Sequence, residues 1–169
     1  MTEAFIGLGS NLGDSVDYLL FARQQLSSLA DSQLVATSRL YRSAPVGPQD
    51  QPDFYNAVIQ LNTSLAPIPL LDALQRIEQQ AGRVRQRHWG ERTLDLDILL
   101  YGDGTLNLPR LQVPHPQLGR RSFVLQPLSD IHPQLILPDG TPLTTLRDAC
   151  SHQQICYHED SRWRAGLER

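Results

Sequence analysis

Asp95 and Asp97 stand two apart in the run LDLDILLY. In a strand that spacing puts both carboxylates on one face and Leu94, Leu96 and Ile98 on the other. Two acids held side by side are unfavourable without a cation between them, and oxygen-only donors suit magnesium better than zinc or copper. A divalent-metal site is the chemical reading, and the plainer one is a pair of ordinary acids on a solvent-facing strand. Their central place in an apolar strand favours the site. Arg76, Arg83, Arg85, Arg87 and Arg92 follow one another closely, and no acid occurs from Gln79 to Gly90. Guanidinium forks bind phosphate oxygens bidentately and neutralise charge on a transferring phosphoryl group, which makes a nucleotide polyphosphate the natural guest. A solvated basic loop and an RNA contact are the competing readings. Adjacency decides between them: Arg92 precedes Asp95 and Asp97 by three and five residues, which sets cation and metal ligands at one strand entrance.

Other residues give weaker signals. Gly7, Gly9 and Gly13 in GLGSNLGD do not have the G-x-G-x-x-G spacing and lack a following lysine. They read as a tight turn, with Asn11 and Gly13 suited to positive φ, that feeds a helix capped by Asp14. Phe54 and Phe123 are either core aromatics or stacking partners for a flat heterocycle, and Asn56 offers one donor–acceptor pair to an aminopyrimidinone edge. His88, Trp89 and His115 are candidates for nucleotide contacts, since no two histidines have ligand spacing.

Composition narrows the chemistry further. All 15 basic residues are arginine, so a Walker A lysine, a Schiff base and a lysine general base are excluded. The net charge of -3 argues against a general affinity for nucleic acid or acidic membranes. The 169 residues suit one compact domain. We expect a single catalytic domain over 1–150 and a polar, loosely attached or disordered tail over 151–169. Apolar runs such as Ile98 to Tyr101 are far too short to span a bilayer, and the first residues do not resemble a signal peptide, so the expected location is cytoplasmic. Cys150 and Cys156 form no disulfide framework and no zinc spacing.

The elements that must position these groups follow from periodicity. Glu3 to Gly9, Gln33 to Tyr41, Phe54 to Asn62 and Leu94 to Tyr101 read as strands, and Asp14 to Ala30 and Pro67 to Ala81 read as amphipathic helices, the second closed by Gly82. Ser43 to Asp53, with three prolines, is a loop. Val113 to Pro116 must be extended, Arg120 to Leu128 is a short helix, Leu135 to Leu137 a short strand, and Pro142 to Ala149 a last helical turn or two. The order strand, helix, strand, strand, helix, strand matches a ferredoxin-like α+β sandwich, a mainly antiparallel sheet covered by helices.

With GSNLGD at 9–14, SAPVGPQDQPDFYNAV at 43–58, GRVR at 82–85, RTLDLDILLYG at 92–102 and VPHP at 113–116, the chain resembles the 6-hydroxymethyl-7,8-dihydropterin pyrophosphokinases of folate biosynthesis. The resemblance runs from about Ala4 to Gly140. It implies transfer of pyrophosphate from ATP to the pterin hydroxymethyl oxygen with release of AMP, on two magnesium ions held by Asp95 and Asp97. Arg83 and Arg92 would then be catalytic with the two aspartates, stabilising the transferring group and leaving AMP. Phe54 and Phe123 would sandwich the pterin, and Asn56 with the backbone of Ser43, Ala44 and Val46 would read its polar edge. Gln75, Glu78, Arg85, Trp89, Arg92, Ile98, Arg110, His115 and Arg121 would line the ATP side or the closing loops. Both partners are small molecules, and we expect a monomer with no nucleic-acid or membrane partner. The alternatives are a ferredoxin-like module that binds nucleotide or RNA without catalysis, and a purely structural subunit.

Overall fold

The computed structural model describes residues 1–44, 50–82 and 93–167. Strand β1 (Thr2–Ser10) leads through a turn at Gly13, φ +78°, into helix α1 (Ser15–Ser27). Asp14 caps that helix, its carboxylate accepting from Asp17 N at 3.2 Å. Strands β2 (Ser32–Thr37), β3 (Tyr41–Ser43) and β4 (Phe54–Thr63) follow, then helix α2 (Pro67–Gln80), which begins on a proline at its first position and ends before Gly82 at φ +69°. Strand β5 (Asp95–Tyr101) completes an order that has one strand more than expected.

The main sheet runs β5-β1-β4-β3, with β2 also on β4, and every pair is antiparallel. Helices cover both faces. On one, Ala4, Ile6 and Leu8 of β1 pack with Leu19, Ala22 and Leu26 of α1 and Leu70, Leu74 and Ile77 of α2. On the other, Phe5, Val58, Leu99 and Leu100 pack under helix α3 (Ser122–Ile131) and helix α4 (Leu143–Ala149). The register shifts between Phe5 and Ile6, opposite Leu99, and beyond that point both Leu99 and Leu100 belong to the second layer.

Several expectations are corrected. Gln33 to Tyr41 is two strands, because the ladder breaks at Ser38: its N–H still donates to Val58 O at 2.9 Å, but its hydroxyl rather than its carbonyl accepts from Val58 N at 2.8 Å and donates to Arg39 O at 2.8 Å. The stretch Leu135 to Leu137 reduces to one bridge, Ile136 to Pro142. A small hairpin of β6 (Leu106–Leu108) and β7 (Leu111–Val113) had no signal beyond its neighbouring turn. The helix expected over Arg120 to Leu128 is α3, shifted to Ser122–Ile131 and preceded by a 3-10 turn, Leu118–Arg120.

The tail from 151 is not loose. Strand β8 (Ile155–Tyr157) adds to β3, and helix α5 (Ser161–Leu167) follows. Trp163 is 2% exposed in the α1-side core; its Nε1 donates to Ser38 O at 3.0 Å, and Arg23 stacks over its ring at 4.2 Å. One tryptophan supplies the apolar surface that the rest of this polar segment lacks.

Candidate active site

The second face of the sheet changes character along three neighbouring strands. Phe5 of β1 and Leu99 of β5 belong to packed core; two register steps on, Gly7 lies between Val58 and Asp97, and two further, Gly9 lies between Asn56 and Asp95. The glycines leave out the side chains that would fill this row. A Cβ on Gly7 would stand 3.3 Å from Leu99 Cδ2, and one on Gly9 only 2.8 Å from Asn56 Nδ2. Where the core stops, a pocket opens, floored by Gly7 and Gly9 and lined by Phe54, Asn56, Asp95, Asp97, Leu99, His115, Arg121, Phe123 and Val124.

Both aspartates keep strand alternation, with Leu96 and Ile98 buried on the opposite face. The β5 edge is held by Glu78, 3% exposed on α2, whose Oε2 accepts from Leu96 N at 2.8 Å. An edge strand otherwise leaves such amides without strand partners, so Glu78 fixes the segment between the two acids. His115 Nε2 lies 4.0 Å from Asp97 Oδ1. Because Gln117 N donates to Nδ1 at 3.1 Å, the ring proton resides on Nε2, facing the acid. Burial, and then the Arg121 charge, push this imidazole below its ordinary pKa against the pull of Asp95. Burial likewise lowers Arg121, opposed first by Asp97 and then by Asp95; the guanidinium stays cationic and lies 5.4 Å from the Phe123 ring centroid.

Phe54 and Phe123 are half-buried and both line the pocket, so they serve it rather than the core alone. Asn56 Nδ2 donates to Leu8 O at 3.4 Å, while Asn56 Oδ1 and Ser43 Oγ, like Ser10 Oγ, are buried with no hydrogen-bond partner among the described residues. An unpaired buried polar atom costs about 1–3 kcal/mol, and of the three only Asn56 lines the pocket, so its Oδ1 points to a polar guest. Ser43 pairs with Phe54 across β3 and β4, and Ala44 follows it on the exposed end of β3.

Among the described residues no group of three or more His, Cys, Asp and Glu side chains is gathered for a metal ion. Two carboxylates on one strand face are a donor set that magnesium accepts, since it binds through one or two carboxylates and takes phosphate and water oxygens for the rest. The residues present therefore fit that ion.

Three other expected positions lie apart from the pocket lining. Ile98 is a core side chain, which leaves only its main chain to meet a ligand. Arg110 Nη2 donates to Asp72 Oδ1 at 2.7 Å and to Gln75 Oε1 at 3.1 Å, a surface cluster that joins α2 to the β6–β7 hairpin. Val46, Arg83, Arg85, Arg87, His88, Trp89 and Arg92 lie outside the described residues. Asn11 does not take positive φ; its amide donates to Gln51 Oε1 at 3.0 Å and Pro52 O at 2.9 Å, tying β1 to the loop before β4. Sequence reading missed Gly7 and Gly9 as pocket residues. Their signal was present, since they alternate with Ile6 and Leu8 in a strand.

Residues 5–133 match the family model described as 7,8-dihydro-6-hydroxymethylpterin-pyrophosphokinase. The chain is 49% identical over 156 residues to the 2-amino-4-hydroxy-6-hydroxymethyldihydropteridine pyrophosphokinase of Haemophilus influenzae, covering 92% of this chain and 98% of that one. It is 52% identical over 153 residues to the protein of the same name from Pseudomonas aeruginosa, covering 90% and 94%. Among solved structures it is similar to the wild-type HPPK-DHPS of Plasmodium falciparum with pteroate, at TM-score 0.71 and 16% identity. That likeness covers 88% of this chain and 42% of the other, so this chain spans less than half of that protein.

Proposed function

The chain belongs to the 7,8-dihydro-6-hydroxymethylpterin-pyrophosphokinase family, and we propose that its pocket is where the pyrophosphoryl group of ATP passes to the hydroxymethyl oxygen of the reduced pterin. The enzyme is a diphosphotransferase of folate biosynthesis with ATP as co-substrate. The observation that carries the assignment of the site is that Asn56, whose Oδ1 has no partner among the described residues, and paired Asp95 and Asp97 flank one glycine floor.

The flat pterin lies on that floor between Phe54 and Phe123, where a ring gains from stacking on both faces. Asn56 Oδ1 accepts from its amino edge, with Ser43 and the main chain of Ala44 and Val46 completing the reading. This orientation turns the hydroxymethyl group toward the acids. Asp95 and Asp97 would hold magnesium, two ions on this reading, and the metal would supply neutralisation of phosphate charge for an in-line displacement at the β-phosphorus. The pterin oxygen gives up its hydroxyl proton to solvent and forms the new bond to that phosphorus as the bond from phosphorus to the oxygen shared with the α-phosphate breaks, and AMP departs with that oxygen. Arg121, fixed beside both acids, meets the phosphate oxygens that approach the ring side, and His115 offers its Nε2 proton to the same charge. Glu78 acts through the strand it anchors. Gln75 on the α2 surface, Arg110 in the β6–β7 turn beside it, the main chain of Ile98, and Arg83, Arg85, Trp89 and Arg92 serve ATP. Catalysis of this kind needs positioning and charge neutralisation and no lysine or covalent nucleophile.

The enzyme acts as a monomer on small molecules. Its net charge of -3 speaks against nucleic acid. No helix of the described residues is long and apolar enough to cross a membrane. ATP as co-substrate makes the cytoplasm the setting of this reading.

Incubation with ATP, magnesium and 6-hydroxymethyl-7,8-dihydropterin, followed by chromatography of the nucleotides, tests the reaction. Pterin-dependent AMP is the expected product. ADP would mean transfer of the γ-phosphoryl group, and a folded protein with no turnover would support a nucleotide-binding module. Gly9→Ala tests the floor: its Cβ displaces the Asn56 amide, and the KM for pterin rises roughly 10-fold with a smaller change for ATP. Equal shifts for both substrates would separate Gly9 from the pterin side.

A further inference from the structure

Arg121 reaches the pocket from an unusual place, the residue just before α3. It is extended, at φ -128° and ψ 108°, and its own side chain does not cap the helix. In an extended residue the preceding carbonyl and the following N–H point the same way. Both are taken by one side chain: Gln153 Oε1 accepts from Ser122 N at 2.8 Å, and Gln153 Nε2 donates to Arg120 O at 2.7 Å. A carboxamide thus imitates a neighbouring strand against a single residue. The Gln153 side chain is itself set by a short turn, with Gln153 N donating to Cys150 O at 3.0 Å, and Ser122 Oγ donates to the same carbonyl at 2.7 Å. The first orphan N–H of α3 is therefore satisfied from 31 residues away.

On this basis we infer that Gln153 is a positioning residue for the transfer reaction, holding Arg121 extended so that its guanidinium stands beside Asp95, Asp97 and Phe123. The inference rests on the assignment of Arg121 to the reacting site made above. A helical or turned Arg121 would splay the Arg120 carbonyl from the Ser122 N–H, and no single amide could then bond both. The clamp thus selects the one backbone conformation that aims this side chain into the pocket. Phe123, within the first turn of α3, is anchored separately by the packing of Val124 and Leu125 beside it.

The test is a double-mutant cycle on the full chain, read as kcat and KM for both substrates with thermal melting alongside. Gln153→Leu keeps the volume but neither bond, and kcat/KM is expected to fall roughly 10- to 100-fold, because a catalytic group displaced by about 1 Å loses on that order. Melting should move little, since the clamp lies near the surface. Gln153→Glu keeps the acceptor for Ser122 N but faces Arg120 O with a second oxygen, and should lose activity similarly. In an Arg121→Ala background, Gln153→Leu should add nothing. Unchanged kinetics in both single variants, or a loss that multiplies with that of Arg121→Ala, would overturn the inference. Wild-type activity in Arg121→Ala alone would remove Arg121 from the reacting site and overturn the inference with it.

Discussion

Asp97→Asn is expected to lower pterin-dependent AMP formation by at least ~10³-fold at saturating magnesium while leaving the melting temperature within a few degrees of wild type. The side chain is 38% exposed and sits on the pocket face of β5, so its removal costs no core packing. A neutral amide in its place relieves repulsion with Asp95. What is lost is one of the two anionic oxygen donors on that face, and a magnesium ion supplies several kcal/mol of charge stabilisation to such a displacement. Asp95→Asn should behave alike, and because the two acids act as a unit the double substitution should cost little more than either. Nucleotide binding without turnover discriminates the readings. A non-catalytic module would bind ATP as well or better once negative charge is removed, and would show no AMP in the wild type. Retention of more than a tenth of wild-type kcat in either single variant would remove the pair from the metal site.

Trp163→Ala is expected to destabilise the fold by about 3–5 kcal/mol, the cost of deleting a fully buried tryptophan. Part of that is the cavity against α1, part the bond from Nε1 to Ser38 O, and part the stacking of Arg23, which also donates to Trp163 O at 2.9 Å. Denaturant titration reads it directly. A change below ~0.5 kcal/mol, typical of an exposed position, would mean that the C-terminal segment is detached in solution. The effect should reach the site, because Ser38 begins the break before β3, and β3 carries Ser43 beside Phe54.

Apart from the break that divides β2 from the three-residue β3, the order of the elements from β1 to β5 was legible in the sequence because the long elements are periodic, and the caps Asp14 and Gly82 fall where expected. The placing of Asp95, Asp97, Phe54 and Asn56 about one pocket follows from strand alternation plus the two pairings of β1, whereas Phe123 arrives on α3. Other features depend on contacts that no local pattern encodes. Ser38 interrupts a strand through a hydroxyl bonded to a residue 20 positions away. Trp163 is the one buried side chain among the described residues of a mostly polar segment, so composition pointed outward while packing pulls inward. Gln153 has no signature at all, because its role lies in two main-chain atoms of a distant turn. Gly7 and Gly9 fell to a competing interpretation: glycine near a turn reads as backbone freedom, whereas here both occupy an ordinary strand and matter for the side chain they lack.

That floor has a mechanical consequence. Side chains rotate, but the atoms at the base of the pocket are main chain of β1, hydrogen-bonded to β4 on one flank and β5 on the other. It cannot deepen by a change of rotamer. Any guest thicker than a planar heterocycle must be accommodated from above, by moving Phe123 and Arg121 away from the sheet, and so preference for flat molecules is built into the backbone of the central strand.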